Sequence, residues 1–331
     1  MMAQPLTKIV ANRYGGRNLP VTLVLPDGGR VSLSSQPEVE ILARTWRGLK
    51  ALAAPAMGAL ARAYIHNDLD FTGSTRRVLA VVDSMVGDFA HGSESLAARW
   101  RGWCNQQRSN PANIGFHYDV SNAFYRLWLD AQMVYSCAYF RSEGDTLDEA
   151  QAGKLEYICR KLRLQPGERF LDIGCGWGAL LFRAAQEYGV EATGVTLAKN
   201  QYEYVSGEIA ARGLAGRVRV ELRDYLDLPE DAHYDKIASV GMFEHVGIAR
   251  FPTYFGKVNR LLKPGGLVLN HGITHNGPGA RVLGSGLSDF VEEFVFPGGE
   301  LAHVAEVIEG MAAQGLEVID AEALREHYGK T

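Results

Sequence analysis

Apolar and polar positions follow two different rhythms along this chain. Val21-Thr22-Leu23-Val24-Leu25 reads as a strand, Pro26-Asp27-Gly28-Gly29 as a turn, and Arg30-Val31-Ser32-Leu33 as the returning strand of a hairpin. Helical spacing follows over about 37–65, weakened at Pro55 and Gly58, and again over about 75–90. The stretch 91–113 reads as a linker with one short helix. Beyond it strands and helices alternate. A helix over 148–164 stops at Pro166-Gly167, and Phe170-Leu171-Asp172-Ile173 is a short buried strand. Gly174-Cys175-Gly176-Trp177-Gly178 turns it into a helix over 179–188. Strands over 191–195, 218–222, 236–240 and 267–270 and helices over 199–212 and 253–262 complete the series.

This alternation predicts an α/β fold with a doubly wound, mostly parallel, Rossmann-like sheet, whose ligands sit beyond the carboxyl ends of the strands. A smaller α+β domain is expected over 1–110 and the sheet domain over 111–331. The glycine turn has the strand before it and the helix after it that a nucleotide loop requires. Its spacing does not choose the cofactor, because Gly174, Gly176 and Ala179 also satisfy the dinucleotide pattern. Against NAD, Thr196 stands where a ribose-binding Asp or Glu is expected.

Composition narrows the classes. The 331 residues suit two domains, and 47% hydrophobic content excludes wholesale disorder. The apolar stretch from Ala51 to Ala61 is far short of the roughly 20 residues of a spanning helix. The N-terminus shows no export signal. The four cysteines form no CxxC pair, so no metal is expected and the thiols read as reduced and cytosolic. A net charge of -4 hides a split: residues 1–110 carry 13 Lys/Arg against 8 Asp/Glu, whereas the remainder carries 21 against 30. A basic N-terminal part favours an anionic surface such as phospholipid headgroups.

The motifs outside the loop are more specific. His117-Tyr118-Asp119-Val120-Ser121-Asn122, Trp128-Leu129-Asp130 and Met133-Val134-Tyr135-Ser136-Cys137-Ala138-Tyr139-Phe140 resemble the signature region of the cyclopropane-fatty-acyl-phospholipid synthase family. That family includes the mycolic acid cyclopropane synthases. Leu171 to Ala179, Thr196 to Gln201, Phe243-Glu244-His245-Val246-Gly247, Asn270 to Ile273, Phe294 to Gly299 and His327-Tyr328 follow in the family's order. The resemblance implies an S-adenosylmethionine site lined by Tyr135, Ser136, Asp172, Gly174, Gly176, Thr196, Gln201, Arg223 and Asp224. It also implies a bicarbonate ion held by Cys137, Glu244, His271 and Tyr328, with the Ile273 backbone nearby. His245 is read as pointing away from the site.

The implied activity is transfer of a methylene from S-adenosylmethionine to the double bond of an unsaturated phospholipid acyl chain, giving a cyclopropane. An alkene is a poor nucleophile, so the donor must be strongly electrophilic. Attack leaves a cation on the acyl chain and a new methyl, and loss of a proton from that methyl closes the ring. Such chemistry needs a base and electrostatic preorganisation, and the faces of Tyr139 and Phe140 are candidates to steady the cation. A methyl- or methylene-branched product is the variant reading, and a non-catalytic cofactor- or lipid-binding protein the other. The second arises because family members continue past Tyr328 with a helical segment, whereas here Thr331 is last, which is expected to leave Tyr328 fraying. Expected partners are acyl chains at the membrane surface, with no nucleic acid and with a homodimer admissible. The expected location is cytoplasmic, peripheral at the inner face of the membrane.

Overall fold

A computed structural model describes residues 3–14, 19–86, 121–230, 233–275, 290, 294 and 301–331. The expected linker over 91–113, Cys104, residues 117–120 and residues 295–299 lie outside them. The chain divides into two compact units, residues 1–107 with 282–296 and residues 108–281 with 297–331.

The first unit opens with α1 (Ala3–Tyr14) and the hairpin of β1 (Val21–Val24) and β2 (Arg30–Ser32). Next come β3 (Val39–Ala43), α2 (Trp46–Ala53), α3 (Met57–Ile65), β4 (Leu69–Thr72) and α4 (Thr75–Val86). The mixed sheet runs β2-β1-β3-β4, with β1 and β3 parallel and the outer pairs antiparallel. β3 corrects the helix expected from residue 37. Val39, Ile41 and Ala43 are buried in alternation, a period of two, and lie between two partner strands. The helical pattern begins only at Thr45, whose hydroxyl caps α2 by accepting from Arg47 N and Gly48 N. The break expected at Pro55 separates α2 from α3. Leu23, Ile41, Leu49, Leu52, Leu69 and Met85 fill the core of this unit.

The second unit holds α5 (Asn122–Tyr125), α6 (Leu147–Lys161), β5 (Arg169–Ile173), α7 (Ala179–Tyr188), β6 (Glu191–Thr196) and α8 (Lys199–Ala211). β7 (Val218–Leu222), β8 (Tyr234–Val240), α9 (Phe251–Leu261) and β9 (Leu262–His271) follow. β10 (Thr274–His275), β11 (Ala302–His303), α10 (Val304–Ala313) and α11 (Arg325–Tyr328) complete it. The five main strands are all parallel in the order β7-β6-β5-β8-β9. One face packs Leu155, Ile158, Leu181, Ala184 and Val205 of α6, α7 and α8 against Phe170 and Ala238. The other packs Phe251, Phe255, Val258 and Val307 of α9 and α10 against Leu171, Ile173 and Ile237. Each fully buried side chain of this kind contributes roughly 1.5–3 kcal/mol. α6 starts from a capping box between Thr146 and Glu149. The order of strands reverses at β5, so the crevice beyond the tips of β5 and β8 is where this topology places a ligand. Among the described residues no helix is long and apolar enough to cross a membrane.

Candidate active site

A cleft opens at those strand tips, and all nine residues expected around the donor line it: Tyr135, Ser136, Asp172, Gly174, Gly176, Thr196, Gln201, Arg223 and Asp224. The β5–α7 turn forms its floor. Gly174 takes φ +77°, a conformation that disfavours side chains, and a Cβ there would press on Met242 at 3.0 Å. Trp177 is buried behind the turn; its indole N–H donates to Asn122 Oδ1 at 2.9 Å and its ring lies 4.7 Å from that of Tyr125. Helix α5 is thereby fixed against the loop.

Several polar groups stand among the largely apolar walls, and most of them are paired. Thr196 Oγ1 donates to Gln201 Oε1 at 2.8 Å and accepts from Ala198 N at 3.1 Å, which shapes the turn into α8. Asp224 caps the short helical turn after β7 by accepting from Leu226 N at 3.0 Å. Arg223 pairs with Glu221 at 3.1 Å. Asp172 is buried at the end of β5, and loss of solvent pushes its carboxyl up to about 7, opposed by the nearby Lys154 cation. This lysine carries no signal in the motifs, yet it is 3% exposed, lines the cleft and donates from Nζ to Ser136 Oγ at 2.6 Å. His245 is among the residues that border the cleft, whereas its neighbour Glu244 is not. The preceding backbone is a tight helical turn over Phe243–His245, so neighbouring side chains do not alternate as on a strand.

Beside the cleft lie the four residues expected around the anion. Glu244 is 4% exposed, and its Oε1 accepts from Ile273 N at 2.7 Å. The carboxylate lies so close to the turn after β9 that a Cβ on Gly272 would come within 2.8 Å of Glu244 Cδ and 2.1 Å of the Phe243 ring. His271, at the end of β9, precedes that turn and accepts at its carbonyl from Gly241 N. Cys137 is buried, and its Sγ lies 3.4 Å from Ala138 O and 3.8 Å from Leu324 O. Burial raises the Tyr328 phenol, and the neighbouring Cys137 and Glu244 raise it further. The four residues are thus gathered from segments far apart in sequence.

Two atoms of this group are shut off from solvent without a partner, Glu244 Oε2 and His271 Nδ1. Buried polar atoms are rarely left so, and each such case points to a missing ligand or strain. A small oxyanion bearing a hydroxyl, which donates to a carboxylate and accepts from an imidazole, matches both; bicarbonate is such a group. Burial raises Glu244, lowers His271 to about 4 and raises the Cys137 thiol.

Two expectations change. Tyr139 is stacked between Tyr157 at 4.5 Å and His327 at 4.6 Å, so its faces are already covered and do not serve a substrate cation. Tyr328 does not sit on a loose end. Phe140 N donates to His327 Nδ1 and Ala138 N to Thr331 Oγ1, both at 3.0 Å, docking the last turn onto the 137–141 segment.

The family profile described as mycolic acid cyclopropane synthetase matches residues 105–331. A probable fatty acid methyltransferase of Pseudomonas putida is 41% identical over 314 residues, spanning 95% of this chain and 79% of its own length. The solved structure of the cyclopropane synthase MmaA2 from Mycobacterium tuberculosis superposes with a TM-score of 0.63 at 35% identity, over 67% of this chain and 80% of that one. The mycolic acid cyclopropane synthase CmaA1, solved in complex with SAH and CTAB, gives 0.62 at 38% identity over the same shares.

Proposed function

This chain belongs to the mycolic acid cyclopropane synthetase family of S-adenosylmethionine-dependent methyltransferases, and from that premise we propose that it adds a methylene across the double bond of an unsaturated phospholipid acyl chain. The observation that carries the reading is a glycine-loop cleft directly beside two orphaned buried atoms, Glu244 Oε2 and His271 Nδ1. When bound, S-adenosylmethionine supplies an electrophilic methyl, and bicarbonate supplies a base for the proton lost as the ring closes.

The chain's own groups divide the work. Asp172 and the N-terminus of α7 suit the charged amino-acid end of the donor, while Thr196, Gln201, Arg223 and Asp224 suit its nucleoside. Glu244, held by the Ile273 amide, accepts the hydroxyl of the anion, His271 donates toward its oxygens, and Cys137 and Tyr328 close the cage. Burial around Glu244 keeps bulk water from competing for the cation. Residues 1–110 are the part that meets anionic lipid at the inner face of the membrane, in keeping with their basic balance and with exposed Trp46 beside Arg47 and Lys50. A branched product is the second reading, favoured by the name of the Pseudomonas relative.

The test incubates the protein with isotope-labelled donor and unsaturated phospholipid vesicles, with and without bicarbonate. Label in the acyl chain, the mass of one CH₂ gained, and ring resonances in the NMR spectrum are the expected result. Label in a branch selects the second reading, and no label in lipid at all overturns both.

A further inference from the structure

We propose that Lys154 is the cation that makes the Cys137–Glu244–His271 pocket receptive to an anion, and that it acts as a positioning residue beneath the segment bearing Cys137. The inference rests on the bicarbonate reading above. That reading leaves an electrostatic gap. Glu244 brings a carboxylate, while His271 is neutral and Cys137 keeps its proton, each because of burial. A second negative charge beside Glu244 would be costly without a cation close at hand.

Lys154 is placed to supply it. Its side chain rises from α6 through the core, almost wholly buried, and its Nζ donates to Ser136 Oγ, one residue from Cys137. Its position is fixed by Gln151, one turn earlier on the same face. Gln151 Nε2 donates to Ser136 O at 2.8 Å and to Val134 O at 3.3 Å. The groups facing Lys154 are Asp130, whose Oδ1 accepts from Val134 N, Asp172 on the donor side, and Cys137 and His271 on the anion side. Its field reaches both Cys137 and His271, favouring the thiolate in the first and the uncharged ring in the second. The ammonium therefore stands between the two compartments, balanced by Asp172 in one and available to an anion in the other. Burial lowers Lys154 to about 8, so the charge is present at neutral pH and fades above it.

The test compares the wild type with Lys154→Met and Lys154→Gln, each saturated with S-adenosylhomocysteine whose affinity is measured by calorimetry. Bicarbonate binding is read directly, from broadening of the carbon resonance of isotope-labelled bicarbonate, and from the bicarbonate dependence of turnover. The half-saturating bicarbonate concentration is expected to rise about tenfold in both variants, and S-adenosylhomocysteine affinity to fall by a clearly smaller factor, since Lys154 also lines the donor cleft. In the wild type it should also rise as pH climbs through about 8, a slope both variants lack. Unchanged bicarbonate binding in a folded variant overturns the proposal. So does an equal loss of S-adenosylhomocysteine affinity, which would confine Lys154 to the donor side. A wild type that turns over lipid without any response to bicarbonate sinks the underlying reading, and does so before any variant is compared.

Discussion

The cleft and the pocket proposed here for the donor and the anion are neighbours built differently. The cleft is made from strand tips, one glycine turn and the segment bearing Tyr135 and Ser136, and several of its polar groups are satisfied within the protein, as in the Thr196–Gln201 and Asp224–Leu226 pairs. The pocket draws on residues 137, 244, 271 and 328 and leaves two buried atoms unpaired. A large ligand with many groups can be received by a surface already shaped by its own hydrogen bonds. A small anion needs atoms kept waiting for it, at a cost of about 1–3 kcal/mol for each group left unmade. Burial acts alike on both sides by disfavouring charge, raising Asp172 and Glu244 and lowering Lys154 and His271.

The strongest way to break this contrast is Glu244→Gln. Turnover should fall on the order of 10²–10³-fold while S-adenosylhomocysteine affinity, measured by calorimetry, stays near the wild type. A parallel loss of both would mean that the two compartments are one.

The pH dependence of unfolding sharpens it next. His271 is lowered from 6.5 to about 4, so its contribution to stability is present above pH 6.5 and lost as pH falls toward 4. Asp172 is raised from 3.8 to about 7, so its contribution is present below pH 3.8 and lost as pH rises toward 7. His271→Asn and Asp172→Asn should therefore flatten opposite slopes, by roughly 3–4 kcal/mol each, in denaturant titrations across this range. Slopes of the same sign would contradict the assignment.

Gly272→Ala acts on the pocket alone. The added methyl collides with Phe243 and Glu244, which should cost about 1–3 kcal/mol, seen as a lower thermal midpoint, and weaken bicarbonate response with little change in donor affinity. Tyr328→Phe is the mildest test. The ring is half exposed, and its docked backbone does not depend on the hydroxyl, so turnover should drop only about two- to fivefold in a steady-state assay.

The same division governs how much could be read from the sequence. The glycine turn and the flanking strand and helix follow from local chemistry, and the helix read over 179–188 matches α7. The anion residues could be named only through family resemblance, since no spacing links Cys137 to Tyr328. The strand at Val39–Ala43 was obscured because a short run with apolar residues at both alternate and adjacent positions suits a helix equally well until its partners are known. Lys154 had a faint signal. Gln151 and Lys154 fall on the stripe of α6 that also carries Ala150, Leu155 and Ile158, and polar residues on an apolar stripe need buried partners.

Gln151 and Lys154 grip one short strap of backbone from a single helix, and that strap brings Tyr135 and Ser136 to the donor side and Cys137 to the other. A shift of α6 consequently carries both along together. The two ends of the strap keep their spacing in such a shift, as two pans hung from one beam do when the beam sways.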